Sequence, residues 1–291
     1  QAADSSMYVS KHQGGNAVSA ADQFSRNETK DWKRDVLEAY LGVTLKRQFA
    51  TGPDAFVEIY NRIEQFARSL SETVHSPDRS EEMEGGFAAF EPLPPVVMDT
   101  LTSLALAVDA KDQFTLGHSQ KVSGYAVIIA RAISLPSPEV EEIRLGGMLH
   151  DVGKVAILEL ILNKSGPLNP EEWGSMKRHV EYGAKLLKPL CGTERIQEMV
   201  FHHHEFYDGS GYPHGLAGAQ IPLGARVIAI ADAYDTVTSE RTYKKAHSPE
   251  EAFLELERCA GAQFDPDLVR TFVSHMRGLP NPLIDPLLET I

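Results

Sequence analysis

In the run Ile143-Arg144-Leu145-Gly146-Gly147-Met148-Leu149-His150-Asp151-Val152-Gly153-Lys154, an apolar helix runs straight into an imidazole, a carboxylate and an ammonium. An adjacent histidine and aspartate give one metal ion a nitrogen ligand and give two ions a bridging oxygen. A cation three residues later can reach a phosphate or a leaving oxygen beside those ions. A His-Asp dipeptide alone recurs by chance, but this one has company. Downstream lie His179, His202-His203-His204, Asp208-Gly209-Ser210-Gly211-Tyr212-Pro213 and Asp232. Seven of the eleven histidines fall between positions 118 and 214. That clustering is a metal-site signature, and its ligand types point to hydrolysis.

Outward from this run the pattern is helix after helix. Apolar spacing predicts helices over 95–111, 116–133, 138–152, 170–187, 193–204, 222–238, 248–260 and 265–276. Ser137-Pro138 and Asn169-Pro170 read as N-cap followed by N1, and Ser248-Pro249-Glu250-Glu251 adds a capping-box glutamate. No long alternating run follows residue 20, so the expected fold is all-α, a helical bundle with a metal site in its core. Upstream, 29–50 and 53–73 read as two helices broken at Gly52-Pro53, either a connecting or dimerising hairpin or packing for the main domain. Residues 74–92 are polar and bear Gly and Pro, as a flexible linker does. The division expected is 1–22, 23–92 as helical connector and linker, and 93–291 as the main domain.

Composition narrows the chemistry. The formal charge is −13, which repels nucleic-acid polymers and anionic membranes. An anionic substrate must then be drawn by metals and a few cations. Two cysteines without CxxC spacing suit a reducing compartment, and the expected location is cytoplasmic. No stretch approaches the roughly 18 apolar residues of a membrane span, and no signal peptide is visible. The absence of an initiator Met suggests a piece of something longer.

The order Thr115-x-Gly117-His118-Ser119, Leu149-His150-Asp151-Val152-Gly153-Lys154, Leu162-Asn163-Lys164, Glu172-Trp173-x-x-Met176-Lys177-x-His179, His203-His204-Glu205-x-x-Asp208-Gly209-Ser210-Gly211-Tyr212-Pro213, Ala231-Asp232-Ala233-Tyr234-Asp235, Ser239-x-Arg241-x-Tyr243-Lys244 and Gln263-Phe264-Asp265-Pro266 resembles the HD-GYP family of the HD phosphohydrolase superfamily. Each piece is weak alone; the order and spacing together are specific. The resemblance implies hydrolysis of cyclic di-GMP by a hydroxide between metal ions, ending either at linear pGpG or at GMP. It implies one ion held by His118, His150, Asp151 and Asp232, and a second sharing Asp151 and taking His179, His203 and His204. Imidazole with carboxylate suits iron, manganese or other first-row ions. The family sometimes adds a third ion through a Glu four residues before the first histidine. Phe114 stands there, so two ions are expected, with Asp112 a weak substitute.

Around that centre, Lys154 is expected to act in catalysis and to touch substrate, as are Tyr212, Asp235, Arg241 and Lys244 to bind it. Tyr212 could equally be a turn residue packed on the core. His202 reads as structural. Residues 1–22, with Ala3-Asp4-x-x-Met7-Tyr8 and Gly14-Gly15-Asn16, resemble the closing helix and strand of a GGDEF domain, whose signature loop is absent. That implies a remnant without cyclase activity, GGDEF-domain partners, and a homodimer through the N-terminal helices. Two other functions stand beside cyclic di-GMP hydrolysis: a preference for hybrid cyclic GMP–AMP, and a weakly active cyclic-dinucleotide sensor that signals through protein contacts.

Overall fold

The computed structural model describes Pro53, Val57, Tyr60, Asn61 and Ile63, then residues 95–111, 117–190, 192–239 and 246–278. The expectations for 1–22, the helix over 29–50, the linker 74–92, Asp112, Phe114, Arg241 and Lys244 lie outside the described residues. Those described are helical, in the order α1 (Pro95–Lys111), α2 (His118–Ala132), α3 (Ser137–Leu149), a 3-10 turn (Val152–Ala156), α4 (Glu159–Leu162), α5 (Pro170–Lys177), α6 (His179–Leu187), α7 (Glu194–His202), a second 3-10 turn (Gly218–Gln220), α8 (Leu223–Thr238), α9 (Pro249–Cys259) and α10 (Pro266–Gly278). Among them there is no strand, only the isolated bridges Asp208–Ala217 and Ala260–Phe264. The all-α expectation holds.

Capping explains most of the boundaries. Asn169 and Ser248 each form a full capping box, with Glu172 and Glu251 as the return partners. Ser137 does not cap α3. Pro136, in extended conformation, takes that place, and its carbonyl accepts from Glu139 and Val140 N–H. The single helix expected over 170–187 is two, meeting at Arg178. There Arg178 N–H bonds the Ser175 carbonyl in a 3-10 step, and the Met176 carbonyl turns to the His179 ring.

Two apolar cores share α3 and α7. One joins α2, α8, α9 and α10 through Val122, Ile129, Ile228, Phe253 and Phe272, and includes Ile143 and Met199. The other joins α1, the first 3-10 turn and α6 through Leu104, Val155 and Leu186, and includes Leu149 and Val200. Helices α3 and α7 are thus gripped on two sides, which fixes where their C-terminal ends lie.

Ile63 is 2% exposed and packs in the second core with Leu101 and Leu104. At this residue the upstream segment packs on the main domain, across the boundary expected at 93. Ile63→Ala should therefore cost about 2–5 kcal/mol in denaturant unfolding. An unchanged midpoint would mean that the upstream helix is only a connector.

Candidate metal centre

Helix ends carry carbonyls that no later N–H satisfies. Here they accept from histidine rings. His150 Nδ1 lies 2.8 Å from the Gly147 carbonyl, His179 Nδ1 2.8 Å from that of Met176, and His203 Nδ1 2.8 Å from that of Val200. A carbonyl cannot donate, so each Nδ1 carries the proton and donates it. Each Nε2 is then a bare acceptor. All three Nε2 atoms are buried without a hydrogen-bond donor, an arrangement that costs free energy unless a cation meets them.

Asp151 lies among them. Its Oδ2 is 3.4 Å from His150 Nε2, and its Oδ1 is 3.4 Å from His179 Nε2. One carboxylate thus turns one oxygen to each of two groups of donors. Ligand atoms of His118, His150 and Asp151 lie within 4.8 Å of one another, and so do those of Asp151, His179, His203 and His204. Either group could hold a metal ion. Asp232 adjoins the first, with Oδ1 3.2 Å from His118 Nε2. The donor set of imidazole and carboxylate fits divalent first-row ions.

The charge states of Asp151, His203 and His204 agree with a ligand role. Burial would raise the Asp151 carboxyl, but Lys154, His150 and His179 outweigh burial and hold it well below the usual carboxylate range. Burial pushes the His203 imidazole far down and that of His204 to about 3, so both stay neutral. At His118 burial is overcome by Asp232 and Asp235, one at each ring nitrogen, and the imidazole rises to about 10.

Local sequence explains how these groups meet. Gly117, at φ 72°, is the N-cap that starts α2 at His118. Asp109 on α1 anchors that start, accepting from Ser119 N–H at 2.9 Å and Ser119 Oγ at 2.8 Å. Gly153 lets the 3-10 turn lie against α6: a Cβ there would stand 1.9 Å from the His179 carbonyl oxygen. Lys154 Nζ is thereby brought 2.7 Å from Asp151 Oδ2. Gly211 folds its loop back on His204–Phe206, and Tyr212 N–H donates to the His204 carbonyl at 3.1 Å. Buried Glu205 holds the same loop by accepting from His214 and Leu216 N–H.

The expected ligands are therefore gathered in one place. Tyr212 is there too, stacked on His204 at 4.9 Å between centroids, with Trp173 edge-on at 6.1 Å and Lys177 Nζ 5.7 Å from its ring. His202 stands aside, packed on Phe201 and His214. Asp235 needs correction. It is 2% exposed and lies behind His118, accepting from Nδ1 at 2.7 Å and from Ser239 Oγ at 2.7 Å. With one oxygen on the His118 ring and the other on Ser239, it holds that ring and is not free to face substrate. Sequence reasoning gave no role to Asp109, Glu205, Trp173 or Lys177. Asp109 was findable: it continues the buried stripe Leu101, Ala105 of α1, where a carboxylate must have a partner.

Residues 103–268, more than half of the chain, match the family model described as HD domain. The chain belongs to the HD-domain family. Its HD domain is 42% identical over 163 residues to a cyclic di-GMP phosphodiesterase of Pseudomonas aeruginosa, a match covering 56% of this chain and 39% of that protein. It is 40% identical over 175 residues to the 3'3'-cGAMP-specific phosphodiesterase 2 of Vibrio cholerae, covering 60% and 34%. A cyclic di-GMP phosphodiesterase of Thermotoga maritima is 35% identical over 180 residues, covering 61% and 49%. The HD domain thus spans less than half the length of these relatives. In fold it is similar to the crystal structure of a cyclic GMP-AMP specific phosphodiesterase of Vibrio cholerae, with TM-score 0.52, 19% identity, and coverage of 65% of this chain and 52% of that one. No described helix is long and apolar enough to cross a membrane.

Proposed function

We propose that this HD domain is of the HD-GYP type and hydrolyses cyclic di-GMP to linear pGpG, with GMP as a further product. The observation that carries the reading is Asp151, whose two oxygens face His150 and His179 in separate donor groups. The proposed ligands are His118, His150, Asp151 and Asp232 for one ion, and Asp151, His179, His203 and His204 for another, with iron or manganese best suited to the donors. Divalent ions held there would lower the pKa of water and neutralise charge on a phosphodiester. The names of the relatives support the substrate class.

The residues themselves do the rest. Asp151 keeps both subsites in register. Asp235 holds the His118 ring, and the three helix-end carbonyls hold those of His150, His179 and His203. Lys154 stands beside Asp151, where its ammonium can meet a phosphate oxygen or a leaving oxyanion. Tyr212, on His204, offers a ring and a hydroxyl at the same face. Arg241 and Lys244 are proposed to grip phosphate, as charge-assisted donors on an acidic protein.

The test is a panel of cyclic di-GMP and cyclic GMP–AMP offered to manganese- and iron-loaded protein, with products separated by chromatography. Linear pGpG is expected. No cleavage of either, with both ions bound, would leave a sensor. A second reading, preference for cyclic GMP–AMP, is favoured by the relatives of Vibrio cholerae so named, and the same panel separates it. At matched metal content, Arg241→Ala and Lys244→Ala should raise KM about tenfold to a hundredfold. Lys154→Ala should instead lower kcat about a hundredfold, since its contact strengthens as charge moves in the transition state. Unchanged KM in the first two would move the substrate elsewhere.

A further inference from the structure

We propose that Gln263 is the positioning residue of His204: its side-chain carboxamide accepts the outer ring N–H of His204 through one bridging water. The inference rests on the metal reading of the site. A histidine that holds a cation through one nitrogen carries its proton on the other, and that N–H ordinarily donates to a fixed acceptor. His150, His179 and His203 have carbonyls for this purpose, and His118 has Asp235. His204 differs. Neither of its ring nitrogens makes a hydrogen bond among the described residues. Its ring lies against Tyr212 at 4.9 Å and His203 at 4.1 Å. Such contacts restrain the tilt of a ring but leave its rotation in plane unset.

His204 and Gln263 both line a cavity of about 20 Å³, whose other walls include Asp232 and the apolar Phe206, Ala229 and Ala233. One water needs about 10–15 Å³ of such space and two or more polar partners. Gln263 supplies one. Its side-chain amide makes no hydrogen bond among the described residues, while its backbone is fixed: the N–H donates to Cys259 at 2.9 Å and the carbonyl accepts from Tyr207 at 3.1 Å. Asp208 N–H adds a bond to the Ala262 carbonyl at 2.9 Å. The His204–Asp208 segment and the Cys259–Phe264 turn are therefore tied together. His204 and Gln263, whose side chains make no hydrogen bond among the described residues, thus border one water-sized space.

The experiment strips metal from the full chain and titrates manganese(II) against a chromophoric chelator. Gln263→Leu is expected to weaken one binding step about 10–100-fold. The other step, and the melting temperature of the metal-free chain, should stay as in wild type. Gln263→Glu, which keeps an acceptor at the same place, should restore wild-type affinity. Wild-type binding by Gln263→Leu overturns the proposal. So does equal weakening of both steps with a lower melting temperature, since that marks a structural role. Should Gln263→Leu not fold, Gln263→Asn draws the acceptor back by one methylene and is expected to weaken the same step; unchanged affinity there overturns the proposal equally. The readout is binding, so it stands whether or not cyclic dinucleotides are cleaved. A wild-type chain that binds no manganese would instead sink the metal reading.

Discussion

Asp151→Asn is expected to yield a folded chain that loses metal and hydrolysis together, with kcat down about a thousandfold or more. Each Asp151 oxygen faces a different histidine, so an amide replaces one of the two oxygens with a donor that cannot ligate. The substitution also removes the charge that balances Lys154 at 2.7 Å. Loss of about 4 kcal/mol of charge stabilisation corresponds to roughly a thousandfold in rate. Metal content by plasma spectrometry, measured beside the rate, checks it. His202→Ala is the control, because His202 packs on Phe201 and His214 away from the cluster. Equal collapse of both variants would mean that the histidine triplet is wrongly divided. Full metal content in Asp151→Asn would remove the bridge altogether.

Gly153→Ala is the second large effect, and it acts through the backbone. The new methyl would stand 1.9 Å from the His179 carbonyl oxygen and 2.4 Å from Gly183 N. Neither atom is the end of a flexible side chain. The 3-10 turn must lift from α6, taking Asp151 and Lys154 away from His179. Overpacking of this kind costs about 3 kcal/mol, a fall of roughly 6–12 °C in melting temperature for a domain of this size. Metal content should fall in the same variant. Gly183→Ala is the contrast, since its closest neighbour is one side-chain atom, the Val200 Cγ1 methyl at 2.7 Å, and no backbone atom lies nearer than 3.4 Å. It should lose less. A Gly153→Ala chain with wild-type melting temperature and metal content would show that the turn stands off α6.

Helix starts with proline in the first turn were legible because proline and its capping partner write their own grammar, as at Asn169-Pro170 and Ser248-Pro249. The four residues of α4 and the two 3-10 turns were not, being too short for a period to show. Nor was the break at Arg178, which depends on a ring contact made by His179. Most of the candidate cluster was readable because His118, His150, Asp151, His179, His203 and His204 stand at or beside helix ends, where apolar periodicity stops, while Asp232 lies inside α8. Asp235 was misjudged for a related reason. Asp232 and Asp235 are three apart on one helix face, and spacing cannot say which faces the cleft and which lies behind an imidazole. Gln263 stood in the Gln263-Phe264-Asp265-Pro266 motif but was given no role, because a glutamine acting through water looks like any loop glutamine.

If the cluster holds ions as proposed, the Lys154–Asp151 contact implies an order of assembly. Before any ion arrives, the Lys154 ammonium neutralises Asp151 Oδ2 at 2.7 Å. Once a divalent cation takes that oxygen, Asp151 no longer needs the ammonium, and Lys154 can turn to an anion. Two like charges at one carboxylate also favour that departure. On the proposed metal reading, affinity for a dinucleotide phosphate should be gained on loading, and an acidic surface of net charge −13 discourages the reverse sequence. Linkage makes the effect reciprocal: whatever factor the ions add to phosphate affinity, phosphate must add to theirs.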